Sequence, residues 1–401
     1  MSHKKVSLFC TLSNKHRGKG IILQSKLPDV GTTIFTVMSK MAQEYGAINL
    51  SQGFPDFDCP EKLKDLVAYY LYDRKNQYPP MTGIPELRQQ IAIKVANYYD
   101  FEADPELEVT VTSGATEALF NAVQAAVRSG DDVIVFDPAY DSYEPAIQLA
   151  GANAIHIPLR IPDYSIDWAL VENSITKNTK LIIINSPHNP CGSIFDRKDL
   201  DRLADLIRNK DILVLSDEVY EHMVFDGQKH ESVLSHHELR EKCFAVFSFG
   251  KTFHATGWKL AYCVARKNLS EEFRKVHQFV TFTTSSFVQY GIADFMVQCP
   301  EYAQELPAFY EKKRDTFCEL LQPSRFKFTS SKGTYFQLVD YSDISDLPDI
   351  EFANYLTQQV GVAAIPLTPF YQTAPDTKIL RFCFCKDDET LERAAEILCK
   401  L

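Results

Sequence analysis

The sequence predicts an α/β fold: a mostly parallel central sheet covered by helices, followed by a smaller α+β domain. Two observations carry this. Between about Pro60 and Cys299, the short β-branched or apolar runs EVTVTSG, DDVIVFD, TKLIIINS, DILVLSDE, CFAVFSFG and KLAYCVA alternate with stretches of helical period. Strands spaced by helices build parallel crossover units with both sheet faces covered. Beyond Cys299 the pattern changes to long amphipathic helices, the strand-like GTYFQLVDY and LRFCFC, and a closing helix at ETLERAAEILCK.

A chain of 401 residues, 45% apolar, is long enough for a sizeable core and two domains. Residues 1–20 are polar, basic and aperiodic and read as a disordered extension. Residues 21–58 read as an N-terminal arm and part of the small domain, 59–299 as the large domain and 300–401 as the small C-terminal domain. No internal repeat is present.

The formal net charge is −11, and no basic cluster extends beyond HKK and KHRGK at the start, which argues against nucleic acid or an anionic membrane as partner. No apolar run approaches the ~20 residues of a membrane span, and VSLFCTL is too short for a signal-peptide core. A cytoplasmic location follows as the default. The ten cysteines lack paired or ligand-like spacing, as free thiols in a reducing compartment would.

In such a sheet, ligands bind outside the carboxyl ends of the strands. The residues there lie in SGATEAL, DPAYDSY, SPHNPCG, SDEVYEH and SFGKTFHATGWK. Gly114 and Ala115 open a helix whose free amides suit a phosphate. No GxGxxG or GxxxxGK accompanies them, so nicotinamide and nucleoside triphosphate lose their usual support. Asp217 ends an apolar strand, where a carboxylate requires a partner, and Tyr220 follows on the same turn. Asn189 sits in a proline-held turn, and Tyr140 offers a flat ring for stacking. Lys251 emerges at a strand's end with Lys259 eight positions on, an odd place for solubilising charges.

Singly these residues also fit caps, turns and salt bridges. Together they match pyridoxal 5'-phosphate, which has a phosphate, a stacking ring, a pyridine nitrogen, a phenolic oxygen and an aldehyde for a lysine. Lys251 would be the Schiff-base lysine, with Ser248 and Lys259 completing the phosphate cradle. The second cation, Lys259, is expected to push the Lys251 amine toward its neutral form.

SFGKTFHATGWK, SPHNPCG, SDEVYEH and QGFPDF resemble the fold-type I, class I aminotransferases, within the kynurenine and glutamine transaminase group, from about Gln24 to Leu401. The resemblance implies that Lys251 is the cofactor-bound lysine and Asp217 the pyridinium partner. It implies that Tyr220 and Asn189 contact the phenolic oxygen and that Tyr140 stacks on the ring. Gly114, Ala115, Ser248 and Lys259 would bind phosphate, and Tyr78 would reach the phosphate of a second subunit, which requires a homodimer with shared active sites.

Arg381 matches the family arginine that grips the substrate α-carboxylate, with Gly53 offering a backbone amide and Asn189 nearby. Phe35, and Phe282 from the partner chain, supply an apolar pocket suited to methionine, other large apolar or aromatic amino acids, and glutamine. The expected partners are an amino acid and a 2-oxo acid, exchanged by ping-pong kinetics. Thr283 stands where some kynurenine transaminases carry histidine, which weakens that substrate. The alternative is a kynurenine or glutamine transaminase with cysteine-S-conjugate β-lyase activity. A cofactor-sensing transcription regulator would need a DNA-binding domain, for which the ~20 residues before the resemblance are too few.

Overall fold

The computed structural model describes residues 23–401, so the extension expected at residues 1–20 lies outside the described residues. The central sheet has seven strands: β1 (Val109–Thr112), β2 (Asp132–Asp137), β3 (Asn153–Pro158), β4 (Thr179–Asn185), β5 (Leu213–Asp217), β6 (Cys243–Ser248) and β7 (Ala261–Val264). Their spatial order is β1-β7-β6-β5-β4-β2-β3. The strands from β3 across to β6 pair in parallel. Only β7 runs opposite to its neighbours β1 and β6. Strands β1 and β2 are buried along their whole length, as expected where helices cover both faces.

The edge strand β3 is the one that the sequence reading passed over. Its NAIHIP is mixed in polarity, and most of its residues are half-buried or exposed, so neither alternation nor an apolar run marks it.

Helices form where the sequence supplies their ends. In α1 (Ile34–Tyr45), the Thr33 hydroxyl caps Thr36 N–H, and Gly46 closes the helix at φ +63°. Helix α2 (Pro85–Tyr99) begins with proline in its first turn. Helix α3 (Ala115–Ala126) follows directly on β1, and its Ala118, Leu119 and Ala122 join a buried cluster with Val133, Val135, Leu181 and Leu215 of the sheet. Truncating such a buried leucine to alanine costs about 2–5 kcal/mol.

The C-terminal region carries α4 (Tyr302–Leu321), a three-stranded antiparallel sheet and α5 (Asp388–Leu398). The sheet comprises β8 (Phe336–Asp340), β9 (Ile365–Pro366) and β10 (Ile379–Cys383), in the order β9-β10-β8. The N-terminal stretch joins it: Ile48–Asn49 pairs in parallel with Val362–Ala363, and Cys383 N–H donates to the Leu50 carbonyl at 2.8 Å. This pairing carries Ser51 and Gly53 to the side chains of β10. The nine cysteines of the described residues are all free. Among the described residues, no helix is long and apolar enough to cross a membrane.

Candidate active site

The carboxyl ends of β4, β5 and β6 lie in register, with Asn185 beside Asp217 and Asp217 beside Val246. Outside them is a cavity of ≈ 240 Å³, walled by loops after β1, β2, β4, β5 and β6 and closed opposite by Gly53, Phe54, Phe336 and Arg381. Lys251 sits on a one-turn helix, Phe249–Thr252, immediately after β6. Because β7 runs antiparallel, the residue that enters it, Lys259, lies at this same edge of the sheet. Gly114, Ala115, Tyr140, Asn189, Asp217, Tyr220, Ser248, Lys251, Lys259, Gly53 and Arg381 all line the cavity, as does Phe35.

Lys251 Nζ donates to Tyr335 Oη at 2.8 Å and to the Gly53 carbonyl at 3.2 Å, and the Tyr335 hydroxyl donates to the same carbonyl. Burial pushes the Lys251 amine down to about 8. The contributing cation is Arg381, not the expected Lys259. This corrects the cause assigned from sequence and keeps its direction. An amine freed from water loses charge stabilisation wherever its nearest cation stands.

Asp217 is buried, and burial pushes its carboxyl up to about 6. Tyr143 Oη donates to Oδ2 at 2.7 Å and Val219 N–H to Oδ1 at 3.3 Å, and both bonds pull the other way. Asn185 is occupied in holding the turn: its Nδ2 donates to the Asp217 carbonyl, and its Oδ1 accepts from Asn189 N–H. Both amides line the cavity, but Asn189 uses only its Oδ1, so its Nδ2 is the one left to donate there.

Gly114 has φ +83°, and a Cβ there would stand 3.0 Å from Lys259 Nζ, so the backbone conformation and the close approach both require glycine. No side chain caps this helix start. A Cβ on Gly53 would likewise come within 3.0 Å of the Phe336 ring.

Arg381 is fully buried. It donates from Nη1 to Asn189 Oδ1 at 2.8 Å and from Nη2 to the Ser51 carbonyl at 3.0 Å, and its plane lies 3.9 Å from the Phe336 ring centre. Its Nε has no partner among the described residues, and it makes no direct ion pair there, Asp141 acting on it only through space. A buried cation without a counter-ion is costly, so the chemistry of this wall calls for an anionic ligand.

Tyr78 and Phe282 do not line this cavity. They meet edge to face, 5.7 Å between ring centres, on the surface of the chain, where Tyr78 is 84% exposed and Phe282 42%. Sequence reasoning missed Tyr143 and Tyr335. The first was legible, three residues after Tyr140 in PAYDSY and one turn away, its N–H donating to the Tyr140 carbonyl. The second sits at the start of β8, and only the tertiary pairing brings it to Lys251.

The cavity fits pyridoxal phosphate on its donors alone: an uncapped helix start beside a lysine, a buried carboxylate at a strand's end and a partly neutral amine. Such a site on such a sheet defines a pyridoxal phosphate-dependent enzyme of fold type I. Residues 45–398 match the model of the family described as aminotransferase class I and II. Methionine aminotransferase of Escherichia coli (strain K12) is 49% identical over 95% of this chain and 99% of its own length. An Escherichia coli crystal structure whose report identifies a methionine aminotransferase function superposes with a TM-score of 0.93, at 48% identity over 95% of this chain and 100% of that one. Human kynurenine–oxoglutarate transaminase 3 is 34% identical over 93% of this chain and 89% of its own. The chain belongs to the class I and II aminotransferase family, and it is a pyridoxal phosphate-dependent aminotransferase acting on an amino acid and a 2-oxo acid.

Proposed function

We propose that this aminotransferase takes methionine, and other large apolar or aromatic amino acids, as amino donor and passes the amino group to a 2-oxo acid in two half-reactions. The observation that carries it is the buried Arg381 fork, without a direct ion pair among the described residues, facing a cavity that also holds Lys251 and Asp217. When bound, pyridoxal phosphate supplies an aldehyde that takes up an amine and a ring that withdraws electrons from the substrate Cα.

The chain's own residues do the rest. Gly114 and Ala115 amides, Ser248 and Lys259 hold the phosphate, and Tyr140 packs against the ring. Asp217 keeps the ring nitrogen protonated, and Tyr143 holds that carboxylate in place. Asn189 and Tyr220 donate to the phenolic oxygen. Arg381 grips the α-carboxylate, assisted by the Gly53 backbone and Asn189, and so fixes the Cα–H bond toward Lys251. Lys251, steered by Tyr335 and the Gly53 carbonyl, would take the Cα proton on Nζ and hold it for return. An amine near pKa 8 suits both directions of that transfer near neutral pH.

Among the described residues, the cations of the cavity wall are Lys251, Lys259 and Arg381, all assigned above. A distal carboxylate on the donor therefore has no partner within one chain, whereas Phe35 and Phe54 offer apolar contact. Discrimination among apolar side chains is worth only ~1–3 kcal/mol, so specificity is broad.

We further infer a homodimer in which Tyr78 and Phe282 enter the second copy's active site. Their exposure, together with that of Tyr72 at 85% and Phe279 at 85%, supports such an apolar contact face. The division into a large unit, 59–299, and a small one, 21–58 with 300–401, is proposed on the same footing. A cytoplasmic location is supported by the free cysteines.

The test is an absorbance titration of the cofactor-loaded protein with L-methionine alone. The expected result is loss of the visible band, restored by a 2-oxo acid. A band unmoved by methionine would overturn the substrate. Pyruvate and ammonia released from cysteine S-conjugates, faster than methionine is transaminated, would favour the β-lyase alternative instead.

A further inference from the structure

The SDEVYEH segment has two sides, and the site described above uses only one. Asp217 and Tyr220 face the cavity, while Glu218 and Glu221 face away from it into the protein, both buried. Glu218 accepts from Ser216 Oγ at 2.8 Å and from Val233 N–H at 3.1 Å, and its other oxygen lies 2.7 Å from His230 Nε2. Glu221 Oε2 accepts from both Lys94 Nζ and Tyr99 Oη, which come from α2 on the far side of the sheet. The Lys94 side chain is 9% exposed, with its amine 4.4 Å from the Phe247 ring centre and 4.6 Å from that of Tyr99. Phe247 stacks on Tyr99 and stands four residues before Lys251 in β6.

Lys94, Glu221 and Tyr99 therefore touch both strand exits that present the site, 217–222 and 247–251. Apolar packing does not lock this region from behind, since a cavity of ≈ 190 Å³ adjoins the pair and is lined by Tyr98, His222, Phe253 and Met296 among others. The segment's own Val219, Tyr220 and Met223 pack into the core, and on the Glu221 side the buried polar contacts add to that hold.

We propose that the Lys94–Glu221–Tyr99 network is a positioning device that sets Asp217 and Tyr220 against the cofactor. The inference rests on the reading of those two residues as cofactor contacts. Each member acts through the backbone of the turn, because none of the three lines the active-site cavity.

Replacing both charges together, Lys94→Met with Glu221→Leu, removes the tether without stranding a buried charge. Three quantities are read on this variant: the cofactor dissociation constant, the split between kcat and KM for the amino donor, and the thermal midpoint of the cofactor-free protein. The expected result is cofactor held about tenfold more weakly and kcat lowered about tenfold, with KM and the thermal midpoint near those of the parent. Tyr99→Phe, which deletes one oxygen and keeps the ring stack, is expected to move the same two quantities by less.

Parent-like cofactor binding and kcat in both variants would overturn the proposal. So would a loss of cofactor affinity that only tracks a falling thermal midpoint. If the double variant does not fold, Tyr99→Phe decides the matter alone. Asp217→Ala serves as the control: parent-like cofactor binding there would overturn the underlying reading, whereas weak binding there with parent-like tether variants would overturn only the network's role.

Discussion

The two walls of the active-site cavity are built in different ways. The cofactor-side wall consists of loops that leave the carboxyl ends of β1, β2, β4, β5 and β6, each carrying a short motif next to the strand that positions it. The opposite wall consists of Gly53, Phe54, Phe336 and Arg381, backed by Ser51 and Tyr335. Three chain segments supply these residues, which the small sheet and its pairing with the N-terminal stretch bring together. The first wall is fixed by local chain direction, and the second by contacts between residues hundreds of positions apart, such as Arg381 with Ser51. On the roles proposed above, the large sheet would hold the cofactor and the small one the substrate.

The sharpest way to break that division is Arg381→Leu. Losing a charge-assisted fork on a carboxylate costs about 3 kcal/mol, so KM for the amino donor should rise roughly a hundredfold. Cofactor binding, measured by equilibrium dialysis, should stay near that of the parent. Cofactor loss in this variant would show that the two walls are not separable.

Asp217→Asn probes the other wall through stability in the cofactor-free protein. A carboxyl raised from 3.8 to about 6 keeps its full contribution below pH ~4 and loses it as pH rises through 6. Above pH 6, the buried charge costs the parent up to about 3 kcal/mol, which the asparagine variant avoids. Urea unfolding should find the variant more stable at pH 7.5 and equal to the parent near pH 4. A constant difference across that range would mean that Asp217 is not a buried, desolvated carboxylate.

Tyr335→Phe touches both walls, since Tyr335 belongs to the small sheet and bonds Lys251 of the large one. The loss of one hydrogen bond is worth about 1 kcal/mol, so kcat should fall roughly fivefold with little change in KM. A rise in KM with kcat unchanged would place Tyr335 with substrate binding alone.

The same contrast explains how much the sequence revealed. Gly114, Tyr140, Asn189, Asp217 and Lys251 were legible because the strand-end rule converts a one-dimensional motif into a place in space. Tyr335 was not, since nothing in GTYFQLVDY distinguishes a strand residue facing a lysine from one facing the core. Arg381 was read through resemblance, and the structure adds that it is buried without an ion pair. Strand β3 was lost because an exposed edge strand carries no apolar run. The direction of the Lys251 shift came out correctly, although burial rather than Lys259 proved to be its main cause.

The central claim is that Lys251, and not the neighbouring Lys259, forms the covalent link to the cofactor. Borohydride reduction of the cofactor-loaded protein, followed by proteolysis and mass spectrometry, tests this directly. The account predicts a single phosphopyridoxyl-modified peptide containing Lys251, with Lys259 unmodified. Modification at Lys259, or none at either lysine, would contradict it.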